Sequence, residues 1–165
     1  MSEESFKKGT KILYQREVQK RAWFIIKGSA REFKEDQNNH PQEQTTWFWF
    51  DGDLIYTVPG FFSQDPVLSS VELLEDSQLV YLKIEDYVHL KNGTALLFDK
   101  IRDHYESLRQ QYYISKSHLS GKEKYLQLFK VHPELFNYAK QKDIAYFLGL
   151  SPNSLSRLRR TIDRE

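Results

Sequence analysis

The chain has 165 residues, enough for one ordinary domain or two small ones, so a large multidomain enzyme is excluded. Its 24 Lys and Arg against 23 Asp and Glu leave a formal net charge of +1, which by itself indicates no nucleic-acid, membrane or acidic partner. Apolar residues (39%) and aromatic residues (15%) suffice for a folded core, and the absence of cysteine excludes disulfides, thiolate nucleophiles and cysteine-ligated metals.

The amino-terminal region carries no targeting signal that we recognise. It begins Met-Ser-Glu-Glu, without the apolar stretch of a signal peptide. No run of about 18 apolar residues could span a bilayer. We therefore expect a cytoplasmic protein with no membrane partner.

Residues 6–82 are typical of a β domain. Short aromatic or β-branched runs at 11–14, 22–26, 45–50 and 78–82 are separated by turn residues. Residues 27–29 predict a tight turn and residues 35–41 a solvated loop. Residues 47–50 are apolar on both faces of a strand, so both faces should be covered. Such evenly spaced strands predict a barrel or jelly roll.

Residues 94–113 change to a helical period. An a/d heptad seam is formed by Phe98, Ile101, Tyr105, Leu108 and Tyr112. Arg102 and Arg109 fall at e, and His104 and Gln111 at g, as in a coiled-coil dimer. These five seam residues predict the interface of a homodimer. The alternative is a single helix packed on its own barrel.

The remaining chain is helical and basic. Ser120 followed by Glu123 has the form of a capping box, and Pro133 indicates a further short helix or a turn. Residues 1–114 hold 14 basic and 18 acidic side chains, whereas residues 115–165 hold 10 basic and 5 acidic ones. The near-neutral total therefore conceals a carboxyl-terminal part of net charge +5.

Residues 141–160 predict two short helices joined by a turn. Gly149 can take the left-handed conformation that ends the first helix, Ser151 can cap the second, and Pro152 fits its first position. The inner faces of the two helices are formed by Ile144, Ala145, Leu148, Leu155 and Leu158, with Leu150 between them.

The outer side of this pair predicts a DNA-binding face. No acid lies between Asp143 and Asp163, and the exposed positions are hydroxyls, amides and arginines. In a helix-turn-helix the second helix enters the major groove, where Arg is the commonest reader of guanine. An αα-hairpin with a solvated face could share parts of this pattern. The residues predicted to bind DNA are Lys142, Ser151, Asn153, Ser154, Ser156, Arg157 and Arg160.

With these motifs in view, residues 6–160 resemble the Crp/Fnr family of bacterial transcription regulators. The most specific segment is 144–159, IAYFLGLSPNSLSRLR, which is similar to a form common among Bacteroidetes members; residues 23–31 and 49–54 resemble the family's barrel turn and pocket strand. The resemblance implies an α+β architecture: a cyclic-nucleotide-binding-like jelly roll (1–90), a long dimerisation helix (91–114) and a helix-turn-helix domain (115–165). It also implies double-stranded DNA as partner, RNA polymerase as a further candidate, and a small-molecule effector of unknown identity.

The effector pocket departs from the family pattern. By resemblance it would include Gly52, Asp53, Leu54, Leu68, Ser69 and Ser70, but Leu68 stands where nucleotide-binding members carry the phosphate-holding Arg. No Lys or Arg occurs between Lys34 and Lys83. Losing charge-assisted bonds worth roughly 1.5–3 kcal/mol each makes tight cyclic AMP binding unexpected.

The sequence contains no motif that is typical of an enzyme. A metal-dependent jelly-roll enzyme needs several clustered His ligands, and the strand region holds only His40. Asp51 and Asp53 are more simply turn formers than a catalytic pair. We predict no catalytic residue, no metal and no cofactor. The other function considered is a jelly-roll module that binds an effector or partner and whose helix-turn-helix no longer binds DNA.

Overall fold

A computed structural model describes residues 2–36 and 42–162 of the chain, without the side chains of residues 2, 36, 91–98, 115 and 116. The chain divides into two compact units, Met1–Asp86 and Tyr87–Glu165. His40 and most of the predicted loop 35–41 lie outside the described residues; of that segment, Glu35 and Asp36 belong to a strand instead, because they continue the pairing with Glu43 and Gln42.

The described residues of the first unit form eight antiparallel strands in two four-stranded sheets. The strands are β1 Ser2–Phe6, β2 Lys11–Leu13, β3 Arg21–Lys27, β4 Ala30–Asp36, β5 Gln42–Trp49, β6 Leu54–Ile55, β7 Ser70–Leu73 and β8 Ser77–Lys83. One sheet has the order β1-β8-β3-β6 and the other the order β2-β7-β4-β5. This double-sheet β roll confirms the predicted β domain. Strands β3 and β8 contain the predicted runs 22–26 and 78–82, and β2 and β5 contain all but the last residue of the runs 11–14 and 45–50.

Alternation along the strands explains the core of this unit. In β3, Trp23 and Ile25 are buried and Phe24 and Ile26 are exposed, as expected when successive side chains point to opposite faces. The register places Ile25 opposite Leu79 of β8, which is also buried. The turn predicted at residues 27–29 is present: Gly28 has a φ of +122°, and a Cβ there would meet the Ser77 side chain.

A buried ion network lies in the second sheet. Arg31 of β4 is 1% exposed, and the register places it directly opposite Glu72 of β7. Its Nε donates to Glu72 over 2.7 Å, and its terminal nitrogen pairs with Glu72 and Glu43. The guanidinium also lies over the Phe33 ring, 4.2 Å from its centroid. Arg31 is thus compensated on several sides, as a buried charge must be.

Up to residue 162, where the described part of the chain ends, five helices follow: α1 Ile84–His118, α2 Gly121–Val131, α3 Leu135–Tyr138, α4 Gln141–Leu148 and α5 Pro152–Ile162. Helix α1 extends the predicted segment 94–113 in both directions, and Glu85 and Asp86 in its first turn suit the positive end of the helix dipole. The predicted capping box is confirmed, since Ser120 Oγ accepts from the Glu123 amide and Glu123 accepts from the Ser120 amide. None of the described helices is long and apolar enough to cross a membrane.

Candidate functional site

The turn between α4 and α5 is built as its sequence predicts. Gly149 has a φ of +71°, and its amide bonds to the Tyr146 carbonyl, while the Leu150 amide bonds to the Ala145 carbonyl. These two bonds satisfy carbonyls that the end of α4 would otherwise leave open. Ser151 then accepts from the Ser154 amide over 3.1 Å, which places Ser151 at the N-cap of α5.

A buried core supports the turn. Ile144, Ala145 and Leu148 of α4 are at most 3% exposed, and Leu155 of α5 is 1% exposed. Leu158 is only half-buried, because it lies nearer the end of α5. The backbone of Gly121 approaches Leu150 so closely that an added Cβ would lie 3.1 Å from its side chain. The start of α2 therefore holds the turn in place.

The predicted DNA-binding residues lie on the accessible side of this support. All are exposed except Ser156, which is half-buried. The exposed ones are Lys142, Ser151, Asn153, Ser154, Arg157 and Arg160. Ser151 Oγ also lies 2.8 Å from Ser154 Oγ, so both hydroxyls belong to the cap itself. Because residues 144–162 contain no acid, all the charged side chains that α5 contributes to this face are positive.

The predicted dimer seam follows α1. Ile101 and Tyr105 are half-buried and Leu108 is 42% exposed, whereas the Phe98 side chain lies outside the described residues. Arg102, predicted at an e position, pairs with Asp99 and Asp103 of its own helix at 3.2 and 3.1 Å. Its hydrogen bond to Asp103 raises the pKa of the Arg102 guanidinium.

The last seam residue, Tyr112, has a partner within the chain. Its ring stacks on that of Phe147 in α4, with 4.8 Å between centroids and 17° between planes. Burial raises the pKa of the Tyr112 hydroxyl, with a smaller contribution from Tyr113. Such aromatic pairs contribute about 0.5–1.5 kcal/mol beyond their buried area. The sequence pattern did not indicate this contact, since it assigned Tyr112 to a partner chain.

The predicted effector residues fall into two groups with different partners. In the first, Asp53 accepts from the Phe50 amide over 2.8 Å, and Gly52, with a φ of +86°, bonds to the Ile25 carbonyl. Asp51 accepts from the Gly28 amide over 2.6 Å. These contacts confirm Asp51 and Asp53 as turn formers. Leu54 follows, half-buried, in β6.

In the second group the two serine hydroxyls are engaged inside the protein. Ser69 Oγ donates to Glu32 Oε1 over 2.7 Å, and both residues are at most 6% exposed. Ser70 Oγ accepts from the Gln15 amide over 2.9 Å. The Leu68 side chain is 55% exposed. Sequence reasoning missed Glu32, because the pattern of residues along β4 gave no sign that a carboxylate there is buried.

A further polar cluster was also missed; it joins Gln19, which lies between β2 and β3, to the segment between β6 and β7. Gln19 is fully buried. Its side-chain oxygen Oε1 accepts hydrogen bonds from the Thr57 amide and hydroxyl, at 3.0 and 3.1 Å. Gln64 donates to the Gln19 backbone carbonyl over 2.9 Å. An added Cβ at Gly60 would lie 2.3 Å from the Thr57 hydroxyl. The segment between β6 and β7 is therefore held against Gln19.

Comparison by sequence finds neither a matching family profile nor a matching curated protein. Comparison of the fold finds solved regulators that cover 99% of the chain. FixK2 from Bradyrhizobium japonicum is 15% identical, with a TM-score of 0.75 and 84% of its chain covered. The c-di-GMP-responsive global regulator CLP of Xanthomonas campestris is 14% identical, with a TM-score of 0.75 and 86% covered. The catabolite activator protein of Thermus thermophilus is 18% identical, with a TM-score of 0.59 and 78% covered.

These similarities extend over both units, and at such low identity they show the fold. The chain has the β roll of cyclic-nucleotide-binding-type domains, and the matches also cover the helices that follow it. The predicted α+β fold class is confirmed at that level.

Proposed function

We propose that this protein is a sequence-specific DNA-binding transcription regulator of the Crp/Fnr type that does not respond to cyclic AMP. The observation that carries this proposal is the exposed, acid-free face of α5, supported by a buried two-helix core. The fold shared with the solved regulators agrees with it. In this function α4 and α5 form a helix-turn-helix, with α5 as the recognition helix.

The chemistry of α5 suits a major groove. Its amino-terminal end carries the positive end of the helix dipole, which favours a phosphate. Asn153, Arg157 and Arg160 lie opposite the buried Leu155, where they reach base edges when the helix enters the groove. Lys142, at the start of α4, would neutralise backbone phosphate.

Selection of bound sites from random duplex DNA tests this function. Because a dimer presents two recognition helices about 34 Å apart, we expect enrichment of a pseudo-palindrome with half-sites about one helical turn apart. Binding should weaken steeply as salt rises. If no sequence is enriched and binding is undetectable even at low salt, the protein is instead a partner-binding module that has lost DNA recognition.

Dimerisation through α1 is a separate prediction. We expect the protein to sediment as a dimer at micromolar concentration in analytical ultracentrifugation. Leu108→Glu should raise the dimer dissociation constant at least about tenfold, because the seam would bury a carboxylate in each chain. Ser107→Glu, at an exposed neighbouring position, is the matched control and should remain dimeric. A monomeric wild-type protein would exclude the dimer, and a dimeric Leu108→Glu variant would exclude this seam.

A cyclic phosphate does not fit the residues of the β roll. The serine that would hold it, Ser69, already donates to the buried Glu32, whose carboxylate would repel an anion. Arg31, next to Glu32 in sequence, is paired with Glu43 and Glu72. We therefore expect isothermal titration calorimetry to detect no cyclic AMP binding at micromolar concentrations. A dissociation constant in the micromolar range or tighter would contradict this prediction.

A further inference from the structure

The Tyr112–Phe147 stack joins two segments that are distant in sequence. Tyr112 lies near the end of α1, and Phe147 is the penultimate residue of α4. Phe147 is 5% exposed and the two rings are nearly parallel, so the contact is a packed one. The next residues of α1, Tyr113 and Ile114, are 51% and 55% exposed. Within this turn of α1 the ring of Tyr112 therefore supplies much of the packing.

Phe147 belongs to the packed pair of helices α4 and α5. Its helix packs against α5 through Ala145, Leu148 and Leu155, all at most 1% exposed. The turn between the helices is fixed by the bonds of Gly149 and Leu150 to the end of α4. A change in the angle of α4 is therefore transmitted directly to α5.

We propose that Tyr112, stacked on Phe147, is the positioning residue that fixes the angle between α1 and the α4–α5 pair. Its consequence for DNA rests on the proposed function. In a dimer formed along α1, this contact sets the separation and direction of the two recognition helices. The partner-facing part of the seam then ends at Leu108, and Tyr112 contacts its own chain.

Pulsed electron–electron spin resonance can measure this angle without DNA. The chain has no cysteine, so two cysteines introduced at the exposed positions Gln110 and Arg159 give one labelled pair. Excess unlabelled protein suppresses distances between chains. We expect a narrow distance distribution in the otherwise wild-type protein, and one about twofold wider or more in Tyr112→Ala. A Tyr112→Ala distribution as narrow as the wild-type one would overturn the proposal.

Matched variants separate positioning from general loosening. Tyr112→Phe keeps the ring and should keep the narrow distribution, whereas Tyr113→Ala removes an exposed neighbouring ring and should change nothing. If Tyr113→Ala broadens the distribution as much as Tyr112→Ala does, the stack has no special role and the proposal fails. Phe147→Ala should resemble Tyr112→Ala; if circular dichroism shows it unfolded, the Tyr112 variants decide.

A DNA measurement then tests the consequence. With a selected site, inserting two base pairs between the half-sites should weaken wild-type binding about tenfold or more, because the two α4–α5 pairs cannot move to the new half-site positions. The affinity of Tyr112→Ala should fall less than about threefold on the same insertion, since its two α4–α5 pairs can rotate independently. Equal losses in the two proteins would contradict the proposal. If the wild-type protein selects no DNA, the proposed function fails while the spin-label distances still decide the role of Tyr112.

Discussion

Arg31→Ala is expected to lower the free energy of unfolding of the β roll by about 3 kcal/mol, because it removes the cation that Glu43 and Glu72 share. It also leaves a void where the guanidinium covers the Phe33 ring. The two carboxylates keep some access to solvent, with side chains 28% and 19% exposed, so the loss stays at the low end for a broken buried pair.

Urea unfolding followed by tryptophan fluorescence measures this loss. All three tryptophans, Trp23, Trp47 and Trp49, lie in the first unit, so the signal reports on the β roll. Lys34→Ala is the matched control, since Lys34 is an exposed cation on the same strand and should change stability by less than about 0.5 kcal/mol. A loss below about 1 kcal/mol for Arg31→Ala would show that the network is not a major source of stability.

Arg157→Ala is expected to reduce discrimination between a selected DNA site and a shuffled duplex by about 1–3 kcal/mol, or about 5- to 150-fold. Arg157 is exposed on the side of α5 opposite Leu155, where a bidentate contact to guanine is available. Its side chain supports no core contact of the kind that Leu155 makes, so the variant should remain folded.

Fluorescence anisotropy titrations on both duplexes give the ratio directly. Arg159→Ala removes the same charge from α5, but Arg159 follows Leu155 by one helical turn and is exposed on the side of α5 away from Asn153, Arg157 and Arg160. It should weaken binding to both duplexes alike and leave their ratio unchanged. An unchanged ratio in Arg157→Ala would show that Arg157 contacts phosphate and reads no base.

Local structure followed from local sequence. The capping box of Ser120 and Glu123, the left-handed Gly149 and the N-cap at Ser151 all depend on residues within a few positions of one another. The alternation of Trp23 and Ile25 with exposed neighbours is likewise a short-range pattern. Such features are set by backbone conformation and side-chain spacing, which one sequence carries in full.

The extent of α1 was harder to predict. Its heptad seam indicated only residues 94–113, whereas the helix begins at Ile84 and ends at His118. The acidic Glu85 and Asp86 were a usable signal for the start, since acids favour the first turn of a helix. A short apolar seam, by contrast, reports only the part of a helix that packs.

The sequence by itself determined the β roll, the helical region after it, the turn between α4 and α5 and the cationic character of α5. Tertiary structure alone decided which distant residues meet. It placed Arg31 against Glu72, 41 residues away, and brought Ser69 to Glu32. It also packed Tyr112, which the sequence pattern assigned to a partner chain, against Phe147 of the same chain. The physical reason is that strand register and helix packing fix such pairs, and both depend on the whole fold and not on any short segment.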